Sequence, residues 1–165
     1  MRTIPVKELT LEDFRWYGSF CNLLDMSPLR SAEERSNEFY PDLVQVLGHS
    51  GLPASASVAR VAPCEPVVNF CEFHNHTGEG ILPIDGDCVI YVAKAGRVVD
   101  PKSIEAFRVP KGTFVSLLPG TVHGRQFACG GAPVHVLILL PERTYKNDCE
   151  FAVLKEEEQQ VRIDM

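Results

Sequence analysis

The stretch Glu72-Phe73-His74-Asn75-His76-Thr77-Gly78-Glu79-Gly80-Ile81-Leu82-Pro83-Ile84-Asp85-Gly86 gathers two histidines and two glutamates just before a turn. On an extended strand alternate side chains leave the same face, so Glu72, His74 and His76 are expected together on one side. Two imidazoles and a carboxylate meeting in a small volume suit a divalent cation such as Zn, Mn, Ni or Fe. A further histidine closes the downstream stretch Gly112-Thr113-Phe114-Val115-Ser116-Leu117-Leu118-Pro119-Gly120-Thr121-Val122-His123. If the two stretches are neighbouring strands of one barrel, His123 completes the site.

Working outward, the chain from Ser55 onwards reads as short β segments separated by turns. Candidate strands are Ser57–Val61, Val67–His76, Ile81–Pro83, Cys88–Ala93, Glu105–Val109, Thr113–Leu117, Val134–Leu140 and Glu150–Leu154. They are rich in Val, Ile and Phe, and Asp85-Gly86-Asp87, Pro110-Lys111-Gly112 and Gly130-Gly131-Ala132-Pro133 punctuate them. Strands at this spacing, with no helical pattern between them, imply an all-β sandwich or barrel. Upstream, Val6–Leu9 reads as a short edge strand, and Thr10-Leu11-Glu12-Asp13 opens a brief helix through Trp16 that Gly18 ends. Ser31–Arg35 allows a helical turn within a long connection. The expected organisation is one domain over 1–165: an extension over 1–54 packed on the barrel, a barrel core over 55–154, and a tail over 155–165. The acidic start of that tail reads as a solvated helix end or a frayed terminus.

The chain's 165 residues leave room for one good core, and its 45% hydrophobic and 23% charged composition is that of a globular chain. A net charge of −6 argues against general nucleic-acid binding, which needs a basic surface. No apolar run reaches the roughly 18 residues of a membrane span, and the first residues lack the apolar core of an export signal. The six cysteines form no Cys-x-x-Cys and several lie in apolar runs. They are therefore expected reduced and mostly buried, in a cytoplasmic protein.

With these elements in view, the sequence resembles the cupin superfamily. That family's first motif places, after a His-x-His pair, a glutamate and then a glycine with six residues between them. Here His74, His76, Glu79 and Gly86 reproduce it with one residue fewer between His76 and Glu79. Gly112, Gly120 and His123 keep the spacing of the second motif, with Pro119 displaced by one position. A narrower resemblance, to the ureidoglycolate lyase (ureidoglycolate hydrolase) branch, runs from Phe14…Tyr17-Gly18 to Asn147-Asp148-Cys149. It includes Glu72-Phe73-His74, Leu82-Pro83-Ile84-Asp85-Gly86, Ala106-Phe107 and Val122-His123. This chain differs in having Glu79 where those lyases tend to carry Gln, and in having His76.

The resemblance implies a double-stranded β-helix (jelly-roll barrel) holding one divalent metal per subunit on His74, His76, Glu79 and His123, in a homodimer acting on a small molecule. The shortened spacing leaves Glu72 as an alternative to Glu79, the second choice because Glu79 keeps the motif's own distance to Gly86. Cleaving ureidoglycolate to glyoxylate and urea, a step of allantoin and purine degradation, needs a hydroxyl deprotonated and a leaving nitrogen protonated. Whichever glutamate is off the metal, with Glu72 first in line, and Tyr91 are the catalytic candidates. Arg60, Lys94, Arg108 and Arg125 are candidates to neutralise the substrate carboxylate. Other readings are a cupin isomerase or dioxygenase, and a small-molecule-binding cupin without catalysis. His135 is expected as a hydrogen-bonded barrel histidine, His49 as a solvated loop residue.

Overall fold

The computed structural model describes residues 1–29, 37–48, 51–96 and 98–165; the expected turn at Ser31–Arg35 and His49 lie outside the described residues. The chain runs β1 (Arg2–Glu8), α1 (Leu11–Phe14), β2 (Gly18–Asn22), β3 (Ala54–Val61), β4 (Val67–Val68) and β5 (Phe70–Phe73). It continues through β6 (Glu79–Pro83), β7 (Cys88–Val92), β8 (Glu105–Val109), β9 (Thr113–Leu117) and β10 (Phe127–Ala128). β11 (Val134–Pro141), α2 (Thr144–Asn147), β12 (Glu150–Val153) and β13 (Val161–Asp164) complete it. A six-stranded sheet has the order β10-β7-β8-β1-β13-β4, a five-stranded sheet β2-β9-β6-β11-β3, and β12 pairs with β5.

The burial pattern shows why these strands form two facing sheets. In β7 every residue is buried, which requires cover on both faces. Cys88, Ile90 and Val92 point one way and meet Ile81, Val115, Leu117, Val136 and Ile138 from the five-stranded sheet. Val89 and Tyr91 point the other way, into a second core with Ile4, Ala106, Phe127, Val161 and Ile163. The first cluster fills the space between the sheets, as in the expected jelly roll. Each fully buried aliphatic or phenyl side chain there contributes about 2 kcal/mol.

Three elements differ from expectation. β1 begins at Arg2 and lies inside its sheet, parallel to β13 over Arg2–Pro5 and parallel to β8 over Val6–Glu8. The tail makes a short exposed 3-10 turn at Glu157–Gln159, as a solvated helix end would, but it is not frayed, because Val161 and Ile163 alternate inward and bind β13 to β1 and β4. The expected strand Val67–His76 breaks at Asn69 and ends at Phe73, short of both histidines. At the helix, Thr10 caps α1 as its sequence implies, its hydroxyl accepting from the Asp13 N–H at 3.1 Å. The six cysteines are all free, but only Cys71 and Cys88 are buried and Cys64 is exposed. No helix among the described residues is long and apolar enough to cross a membrane.

Candidate metal centre

His74, Glu79 and His123 come together from three places in the chain. His74 follows the end of β5, Glu79 opens β6, and His123 follows the turn after β9. That turn depends on Gly120, whose φ of +80° is a left-handed conformation that costs a side-chain-bearing residue dearly. Its N–H donates to the His74 carbonyl at 2.6 Å, tying the two histidine segments together. Gly78, just before Glu79, approaches the Leu117 carbonyl so closely that a Cβ would lie 2.3 Å from the oxygen. This contact lets β6 start in register with β9, with Glu79 opposite Leu117.

The donor atoms of these residues lie within 4.8 Å of one another, and all three side chains are buried. His74 Nε2 and His123 Nε2 each stand 3.1 Å from Glu79 Oε2. Their other ring nitrogens meet backbone carbonyls, His74 Nδ1 at Asp148 (2.7 Å) and His123 Nδ1 at Thr121 (2.8 Å). A carbonyl can only accept, so both Nδ1 atoms carry the hydrogen and both neutral rings turn an Nε2 lone pair toward the carboxylate. Three lone-pair donors aimed at one point repel one another unless a proton or a cation lies between them. Two ligands each about 2.1 Å from a shared ion are about 3.0–3.4 Å apart at octahedral or tetrahedral angles. The separations and the donor set therefore fit a divalent metal.

Without a cation, protons fill that role. Burial by itself would raise the Glu79 carboxyl, but the charges and hydrogen bonds of His123 and His74 outweigh it and hold the group at about 2. Burial likewise opposes charge on His123, yet facing Glu79 raises its pKa above the ordinary value. The result is an ion-paired cluster.

Glu72 stands beside the centre. It exchanges both backbone hydrogen bonds with His123, which sends their side chains to the same side. The Cys149 thiol donates to Glu72 Oε2 at 3.5 Å, and burial pushes that thiol up to about 12, with Glu72 adding to the shift. The Tyr145 ring of α2 stands edge-on to His74, with centroids 6.2 Å apart. Tyr145, Asp148 and Cys149 escaped sequence reasoning as site residues. Asp148 and Cys149 had one sign, the Asn-Asp-Cys element of the resemblance, and nothing local marks any of the three as neighbours of His74.

The remaining expected site residues lie elsewhere. His76 is exposed and lines a separate cavity of about 360 Å³ with Leu52, Thr77 and Thr144. The same-face expectation for His74 and His76 fails because the chain bends at Asn75-His76 instead of remaining extended. Tyr91 faces the second core, where its hydroxyl donates to the Phe70 carbonyl at 2.6 Å and burial raises its pKa. It is not among the grouped donors His74, Glu79 and His123. Arg108 is bound to Asp87 at 2.6 Å, at the far end of the β7–β8 ladder from His123. Lys94 lies over the Trp16 ring, 4.9 Å from its centroid. Arg60 is exposed on β3, opposite His135. Arg125 is also exposed, two residues beyond His123, with its guanidinium over Phe127. His135 is half-exposed and pairs with Asp85 at 2.6 Å, so it is hydrogen-bonded but outside the barrel core.

Comparison with known proteins agrees with this architecture. The ureidoglycolate lyase family profile matches residues 1–162. A curated relative from Agrobacterium fabrum, provisionally named a ureidoglycolate lyase, is 27% identical over 129 residues, covering 76% of this chain and 75% of the relative. Among solved structures, a dTDP sugar isomerase from Desulfovibrio desulfuricans G20 superposes with a TM-score of 0.50 at 16% identity, over 72% of this chain and 73% of that one. An oxalate decarboxylase from Lactobacillus farciminis aligns more loosely, with a TM-score of 0.46 at 13% identity over 67% of this chain and 30% of that one. The chain belongs to the ureidoglycolate lyase family and is a lyase built on the cupin fold.

Proposed function

We propose that this protein cleaves ureidoglycolate, or a closely related hydroxy-acid derivative, to glyoxylate and urea with one divalent metal held by His74, Glu79 and His123. The observation that carries this reading is the convergence of two Nε2 lone pairs on one buried carboxylate oxygen. A metal bound there supplies Lewis acidity, lowering the pKa of a substrate hydroxyl and fixing an α-hydroxy-carboxylate in place. The donor set suits Zn, Mn, Ni or Fe.

Glu72 is assigned the proton transfers, a reading supported by its backbone exchange with His123. It takes the proton of the carbinol hydroxyl as the carbon–oxygen double bond forms and the carbon–nitrogen bond breaks. The electron pair leaves with the urea nitrogen, and Glu72 returns the proton there, so the balance closes on glyoxylate and neutral urea. Proton transfer by a positioned group contributes about 10²–10⁴-fold. Of the four cations considered, Arg125 suits the substrate carboxylate best: it is exposed, follows His123 closely and has no carboxylate partner among the described residues. Arg108 is already neutralised by Asp87.

The test is a product assay. Pure protein supplied with ureidoglycolate and each metal in turn is expected to release glyoxylate and urea faster than the spontaneous breakdown, equally well without oxygen. No acceleration with any of the four metals removes this substrate.

A further inference from the structure

Asp148 makes three contacts with the segment that carries the first metal donor. Its carbonyl accepts from His74 Nδ1 at 2.7 Å. One carboxylate oxygen accepts from the Asn75 N–H and the other from the His76 N–H, each at 2.9 Å. These two bonds hold the bend that ends the strand-like path after Phe73, so the same residue orients the His74 ring and turns His76 away from it. The segment around Asp148 supports both roles. The Asp148 N–H donates to the Thr144 carbonyl at 2.8 Å, and β12, beginning at Glu150, pairs with β5 opposite Phe73.

Resting on the metal reading above, we propose that Asp148 is the positioning residue of this centre. Its carboxylate locks the Asn75-His76 bend so that its own carbonyl holds the hydrogen of His74 on Nδ1 and leaves the Nε2 lone pair for the cation. This arrangement also explains how the chain manages with one residue fewer between His76 and Glu79. With the bend clamped, Glu79 need not wait for a strand to complete its alternation, and the centre is built from three protein donors with His76 left out. Outer partners of metal-bound imidazoles typically account for 10- to 100-fold of metal affinity.

The experiment uses the full chain, stripped of metal and titrated with Zn²⁺, alongside long-range proton–nitrogen NMR of the histidine rings in the metal-free protein. Asp148→Ala is expected to weaken Zn²⁺ binding by about 10- to 100-fold. It should also loosen the hydrogen that His74 Nδ1 donates to the Asp148 carbonyl, seen as a shifted or exchange-broadened Nδ1–H signal, while the His123 ring, held by Thr121, keeps its wild-type signals. Asp148→Asn keeps one acceptor oxygen on the bend and is expected to fall between the two; it carries the test if the alanine variant does not fold. Wild-type affinity together with an unchanged His74 ring in either variant overturns the proposal. If the unmodified protein takes up no Zn²⁺, the metal reading fails, and the ring signals alone still decide whether Asp148 positions His74.

Discussion

Glu72 and His123 face each other across an antiparallel bridge, with N–H to carbonyl distances of 2.7 and 2.9 Å in the two directions. This pairing is what joins the two histidine-bearing stretches. It puts Glu72 next to a member of the candidate donor group, while Glu79 occupies the point where both Nε2 atoms aim. Under the proposed function, one glutamate serves as ligand and its neighbour in space handles protons.

Glu72→Gln is therefore expected to retain the metal content of the unmodified protein while kcat drops by about 10²–10⁴-fold. Elemental analysis beside steady-state kinetics reads both. Loss of metal in this variant would reassign Glu72 as a ligand.

His123→Ala and Glu79→Ala should each empty the centre, whereas His76→Ala should leave metal content unchanged, since His76 is exposed and outside the donor group. In the metal-free protein His123→Ala strands the Glu79 charge in the interior, a change that costs on the order of 3 kcal/mol. Urea titration measures that loss. A His76 variant without metal would restore four-ligand coordination as the better description.

Stability should depend on pH in opposite ways with and without metal. The folded Glu79 value of about 2 lies below its ordinary 4.5, so its contribution is present above 4.5 and is lost as pH falls toward 2. The folded His123 value lies above its ordinary 6.5, so its contribution is complete below 6.5 and disappears as pH rises through the folded value. The cluster's contribution to the metal-free protein should thus be greatest between about 4.5 and 6.5. A bound cation needs the imidazoles deprotonated, so the extra stability given by Zn²⁺ should grow as pH rises above that window. Thermal midpoints of stripped and Zn²⁺-saturated protein, followed across pH, compare the two; parallel curves would contradict the cluster's assigned protonation.

Tyr91→Phe removes the donor to the Phe70 carbonyl and leaves that oxygen unpaired in the second core. A loss of about 1–3 kcal/mol is expected, with activity per folded molecule preserved. A catalytic defect at full stability would return Tyr91 to the site.

Much of this was legible in the chain itself. β8 and β9 have the bounds expected of them, and the Val/Ile/Phe-rich runs with their turns pointed to an all-β sandwich or barrel. The cupin resemblance also marked His74, His76, Glu79 and His123, and the fold brings His74, Glu79 and His123 within reach of one another. The failures have physical causes. β1 and β13 pair in parallel from opposite ends of the chain, and no local pattern announces such a partner. His76 was grouped with His74 because alternation presumes an extended strand, and what bends it is the Asp148 carboxylate, far away in sequence.

The amino-acid order determined what short-range chemistry can determine: alternation of buried and exposed positions, turns where glycine accepts a positive φ, and a supply of imidazoles and carboxylates at telling intervals. Which side chains share a point in space was decided by tertiary structure alone. Glu79 became the convergence point, Tyr91 a core donor and Asp148 the clamp on His74 because strand pairing and buried hydrogen bonds join residues that the chain keeps far apart.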